Sequence, residues 1–119
     1  MSEYQLQWLT AFAMTLAIEV PIYVLVLRKP MRGWAQPLFV GILAQCITHW
    51  AVWFVAPHWE LSRTDYVLWL LLVELGVTLV EALWVALWLS GLGWKRALFW
   101  GLLVSLLANV VSTLIGVAR

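Results

Sequence analysis

Charge is what this sequence has least of. Asp, Glu, Lys and Arg make up 11% of its 119 residues, with seven basic and six acidic side chains and a formal net charge of +1. Soluble domains carry roughly 25% charged residues. A chain this small keeps much of its surface wet if it folds in water, so a soluble globular fold is excluded. The near-zero net charge exerts no global pull towards nucleic acid. Cys46 is the sole cysteine, which excludes an intrachain disulfide framework and a four-cysteine metal site. Disorder is excluded as well, because disordered chains are poor in aromatics and rich in charge. There is no internal repeat, low-complexity tract or linker, and no nucleophile elbow, phosphate loop or zincin motif to suggest an enzyme.

Apolar residues make up 65% of the chain. They fall into four stretches of the length a bilayer requires, over residues of about 5–27, 35–56, 66–89 and 97–118. Arg28-Lys29-Pro30 stops the first, Pro57-His58-Trp59-Glu60 the second, and Ser90-Gly91-Leu92-Gly93 the third. Short connections force neighbouring helices to be antiparallel. The expectation is an all-α polytopic membrane protein, with one domain over residues 1–119 and four transmembrane helices in an up-down bundle. The basic cluster follows the first stretch instead of preceding it, so that stretch is expected to be a retained helix and not a signal peptide.

Lysine and arginine in the short loops set the orientation. Arg28, Lys29, Arg32, Lys95 and Arg96 lie on one side, and Arg63 and Arg119 on the other. The first and third loops are therefore expected in the cytoplasm and both termini outside, most simply in a prokaryotic cytoplasmic membrane. The chain has ten tryptophans. Trp8, Trp34, Trp59, Trp94 and Trp100 stand near span ends, where amphipathic rings anchor helices.

The informative residues are the polar ones inside the spans. A charge at the bilayer centre costs about 2.5–3.5 kcal/mol on insertion scales, yet Glu19, Glu74 and Glu81 all fall there. Glu74, Thr78 and Glu81 stand at i, i+4 and i+7, as one helical stripe. Ser105, Asn109 and Ser112 repeat that spacing. Gln45 with His49, and Thr15 with Glu19, are i, i+4 pairs. These stripes are expected to converge inside the bundle. Counting from span midpoints at about 1.5 Å per residue places His49, Glu74 and Ser112 in an outer layer. Gln45, Thr78 and Asn109 fall near the centre, and Glu19, Glu81 and Ser105 in an inner layer.

Gln45, Thr48, Thr78, Ser105, Ser112 and Thr113 are expected to act as glue between helices, at about 0.6 kcal/mol per contact. Glu19, His49, Glu74 and Glu81, with Asn109, are expected to form an ion- or proton-binding core, since two carboxyls in one low-dielectric site can share a proton. Pro21 frees the carbonyl of Ala17 and is a candidate hinge. His49, Glu74 and Glu81 are candidate ligands for a hard or borderline metal, and Cys46 with His49 is a weaker pair. Ala108-Ser112-Gly116, Ala82-Ala86 and Ala13-Ala17 form small-residue faces for close helix packing.

The length, the four spans and a glutamate in mid-first-helix (Ala17-Ile18-Glu19-Val20) resemble the small multidrug resistance transporters. That resemblance implies that Glu19 is the shared proton and cation site of an antiparallel dimer. Glu74 and Glu81 are extra to the pattern, the third helix lacks the family's glycine-rich stretch, and the charge bias opposes dual topology. Two functions compete, with a membrane-embedded enzyme or metal site built on the same residues as a weaker third. One is ion- or proton-coupled transport by a homo-oligomer in contact with membrane lipid. The other is a non-catalytic accessory subunit of a larger membrane complex, such as one that holds pigment or haem. No cofactor can be named from the sequence, and no nucleic acid partner is expected.

Overall fold

The computed structural model describes residues 2–54 and 63–118, and these are all-helical apart from short turns. Helices α1 (Glu3–Leu27), α2 (Ala35–Phe54), α3 (Arg63–Trp88) and α4 (Trp94–Ala118) are joined by residues 28–34 and, between α3 and α4, by a single 3-10 turn at Ser90–Leu92. All four are long and apolar enough to cross a membrane. The 25 residues of α1 make a rod of about 37 Å, against a hydrocarbon core of about 30 Å.

Three helices begin two or three residues earlier than hydropathy predicts. Hydropathy marks where the chain becomes apolar, whereas helical hydrogen bonding continues into the polar interface. At the start of α1 a capping box makes this possible. The Gln5 backbone N–H donates to Ser2 Oγ and the Ser2 N–H donates to Gln5 Oε1, each at 3.1 Å. The Pro57–Glu60 stop, Trp59, Arg119 and the last two residues of the second span lie outside the described residues. The α3–α4 turn ends at Gly93, whose φ of +89° is costly for any residue with a Cβ.

Each helix touches two neighbours. α1 packs on α2 and α4, α3 packs on α2 and most extensively on α4, and among the described residues the diagonal pairs make no backbone approach. The α3–α4 contact rests on Gly101, which is buried, and a Cβ there would collide with the carbonyl oxygen of Ala82. This corrects the expected packing face of α4. Gly116 is exposed with nothing beside it, and the α1 alanines Ala13 and Ala17 also face outwards. Ala82 of the expected α3 face does carry this contact and Ala108 is buried in the core, so the departure is confined to the Gly116 end of α4 and to the α1 alanines. Between α2 and α3, Trp84 Nε1–H donates to the Val40 carbonyl at 3.1 Å, and Phe39 meets Trp88 edge to face.

The apolar core occupies only one half of the bundle. Tyr23, Leu27 and Met31 meet Val40, Ala44, Val85, Leu89, Ala97, Val104 and Ala108 there. These residues come from the end of α1, the start of α2, the end of α3 and the start of α4, the half bounded by the two described turns. Outside, large side chains stand open, including Leu87 at 71% and Leu25, Leu71 and Leu114 at 63% exposure. In water such a surface would drive aggregation, whereas in hydrocarbon it is simply solvated.

Candidate functional site

Glu81 of α3 is wholly buried at the inner edge of the apolar half. One side chain from each of the other helices reaches its carboxyl. From α1, the Tyr23 O–H donates to Oε1 at 3.0 Å. From α4, Asn109 Nδ2 donates to the same oxygen at 3.1 Å and to the Ser105 carbonyl at 2.8 Å. From α2, the Thr48 hydroxyl lies 2.7 Å from Oε2 and 2.9 Å from the Ala44 carbonyl. Tyr23 reaches the bundle axis because Gly41 faces it. A Cβ on Gly41 would stand 3.0 Å from that of Tyr23.

Glu19 of α1 is 3% exposed. The Ser112 hydroxyl and the Gln45 amide stand beside it, and the Glu81 carboxyl is near enough to act on it electrostatically. Even so, Glu19 Oε1 and Gln45 Nε2 are buried and make no hydrogen bond with any described residue. Both atoms belong to residues that line a cavity of about 410 Å³. Glu19, Gln45, Thr48 and Asn109 form its deep end, while His49, Glu74, Tyr66 and Ser112 contribute to its walls. All its lining residues come from α1 up to Glu19, α2 from Gln45 onwards, α3 up to Val77 and α4 from Asn109 onwards. The cavity thus fills the half of the bundle that the apolar core leaves. Glu81 lies just behind its floor, screened by Thr48 and Asn109.

Lysine and arginine occur only in loops and near helix ends. Neither buried carboxyl therefore has a fixed counter-charge of the kind that a lysine or arginine in mid-helix would supply. A buried ionised carboxylate is expensive unless it is paired.

The structure gathers Glu19, Glu81 and Asn109 at one level and places His49 and Glu74 along the cavity wall. His49 packs against Phe12 and Trp8, with ring centroids 5.2 and 6.3 Å away. The expected layers need correction in two places. Ser112 lies against Glu19 instead of in a layer with Glu74, and Asn109 bonds Glu81 instead of forming a separate central layer with Gln45 and Thr78. Counting from span midpoints ignores helix tilt and the length of the side chains, and one glutamate spans about two helical rises of about 1.5 Å. Pro21 is on the exposed side of an uninterrupted α1. Among the described residues no three His, Cys, Asp or Glu side chains gather closely enough to hold a metal ion, and Cys46 faces outwards, away from His49's cavity.

Sequence reasoning passed over Tyr23, although a signal for it existed. Tyr23 follows Glu19 by one turn and extends the Thr15–Glu19 stripe. It was hidden because a tyrosine in an apolar helix counts as hydrophobic. No family model, characterised protein or solved structure matches this chain.

Proposed function

We propose that this chain is a small multi-pass membrane protein, most simply of a prokaryotic cytoplasmic membrane, that couples a proton or small cation to transport and works as a homo-oligomer. The observation that carries this reading is the pair Glu19 and Glu81. They are two buried carboxyls without lysine or arginine partners, at and just behind the floor of a polar-lined cavity. Protonation or cation uptake neutralises such a site, and its polar neighbours hold the carboxyls in place for repeated cycles.

An up-down arrangement is supported by the contacts of Phe12 with His49 and of Tyr23 with Gly41, which run in opposite senses along α1 and α2. The apolar half lies towards the turns carrying Arg28, Lys29, Arg32, Lys95 and Arg96. By the positive-inside rule that end is cytoplasmic. The cavity and both termini then face the other side. A bundle closed at its cytoplasmic half and this small has little room for a complete path, which favours a route completed between copies.

The test is proton flux into vesicles reconstituted with the purified protein, alongside native mass spectrometry of the same sample. A homo-oligomer is expected, with flux abolished by Glu19→Gln or Glu81→Gln while the protein still inserts and assembles. Normal flux in both variants, or co-purification with different subunits or a visible chromophore, would overturn the reading in favour of an accessory subunit.

A further inference from the structure

We propose that Thr48 is the proton relay between the cavity and Glu81: its hydroxyl carries protons through the cavity floor and serves both protonation states of the carboxyl. This rests on the proton-coupled reading above and adds the route and the acceptor atom.

The starting point is a count of hydrogens. The Thr48 hydroxyl lies 2.7 Å from Glu81 Oε2 and 2.9 Å from the Ala44 carbonyl oxygen, both within the range of an O–H···O bond. A hydroxyl has one hydrogen to donate, and a backbone carbonyl has none. Both contacts can be full two-centre hydrogen bonds at once only if Glu81 Oε2 carries a proton and donates it to Thr48, which then donates to Ala44. When Glu81 is ionised, Thr48 turns its hydrogen to Oε2, and the Ala44 carbonyl keeps its helical bond. Tyr23 and Asn109 donate to Oε1 in either state. The seat is therefore satisfied with or without the proton, and the two states differ by one hydroxyl rotation with no movement of a helix.

Thr48 is also placed to connect this seat with the aqueous side. It lines the cavity, whereas Glu81 does not. Of Glu81's other partners, Tyr23 is wholly buried and belongs to the apolar core, and Asn109 is an amide that does not readily pass a proton on. The hop balances as follows. A protonated water in the cavity gives a proton to Thr48 Oγ1 as the Thr48 hydroxyl proton moves to Glu81 Oε2. Neutral water, an intact threonine and a neutral carboxyl remain. Reversal returns the proton to the cavity. Glu19 at the cavity floor and Glu74, His49 and Tyr66 on its walls are the titratable neighbours, and Glu19, Glu74 and His49 compete for the same proton.

The experiment is infrared spectroscopy of the full-length protein in lipid, following the carbonyl stretch of protonated carboxyls after transfer to deuterium oxide. Subtraction of Glu81→Gln, Glu19→Gln and Glu74→Gln spectra assigns each band. A protonated Glu81 band is expected, with its isotope shift appearing promptly. Thr48→Val, which matches threonine in shape, should keep the band but slow its exchange about a hundredfold, and Thr48→Ser should restore the rate. If Thr48→Val does not assemble, Thr48→Ala takes its place with the same expectation. A Glu81 band absent at every pH at which the protein stays folded overturns the relay, as does exchange in the hydroxyl-free variant as fast as in the original. The measurement needs no transport. Normal relay with no vesicle flux removes the transport function alone, and flux indifferent to Thr48 removes the relay alone.

Discussion

Tyr23 and Glu81 meet across the diagonal of the bundle, hydroxyl to carboxyl oxygen at 3.0 Å, although the backbones of α1 and α3 do not approach each other. The contact joins two layers. Tyr23 belongs to the apolar core by its ring and to the polar seat by its oxygen. Removing that oxygen should weaken the seat without emptying the core. Tyr23→Phe is expected to cost about 0.6 kcal/mol, and no more than about 1.7 kcal/mol, the range for hydrogen bonds between membrane helices. Reversible unfolding in mixed micelles measures this, and a loss several times larger would mean that the hydroxyl holds the fold together.

Glu81 itself separates charge from hydrogen bonding. In Glu81→Gln the amide oxygen still accepts from Tyr23 and Asn109, and its N–H can donate to Thr48, which then donates to Ala44. Stability should fall by less than about 1 kcal/mol. Glu81→Leu leaves Tyr23, Thr48 and Asn109 facing an apolar group and should cost about 2–4 kcal/mol. Proton flux should vanish in both. Equal stability loss in the two variants would contradict the hydrogen-bond pattern described here.

Gly101 sets the α3–α4 approach. Gly101→Ala drives a Cβ into the carbonyl of Ala82, and backbone cannot rotate away as a side chain can. The expected cost is about 2–4 kcal/mol, with a lower yield of folded protein. Gly116→Ala on the same helix meets nothing and should stay within about 0.5 kcal/mol of the original. Parallel thermal unfolding of the two variants decides the matter, and similar midpoints would refute the close contact.

Accessibility distinguishes the two halves of the bundle. In a Cys46→Ser background, Ser112→Cys places a thiol on the cavity wall, and Val104→Cys places one in the apolar core. A membrane-impermeant thiol reagent should modify position 112 from the non-cytoplasmic side only and leave position 104 untouched from either side. Modification of position 112 from the side of Arg28 and Lys95 would invert the proposed orientation.

Much of this was legible in the chain. Glu19, Glu81 and Asn109 were recognisable because a polar residue in a long apolar run is unlike its neighbours, and i, i+4 spacing places such residues on one face without knowledge of any other helix. Tyr23 and Gly101 were not recognisable in the same way. Tyrosine is ordinary in an apolar helix until its oxygen finds a partner, and a glycine among seven has meaning only when another backbone lies against it. By its spacing Thr48 is glue between helices, and its proposed relay role rests on the positions of Glu81 Oε2 and the Ala44 carbonyl on either side of its hydroxyl.

The amino-acid sequence by itself determined four apolar helices and the presence of carboxyls inside them. Those properties depend on local composition and on the 3.6-residue period alone, and α1, α2, α3 and α4 carry them independently. The tertiary structure alone decided that Glu81 bonds Tyr23, Thr48 and Asn109 while Glu19 faces Gln45 and Ser112, and that one half of the bundle is packed while the other holds a cavity. Each residue along a helix turns the face by about 100° and advances it by about 1.5 Å. A slip of one residue between helices would therefore re-pair every polar group, and contacts such as Gly101 on Ala82 and Gly41 on Tyr23 are what hold the register.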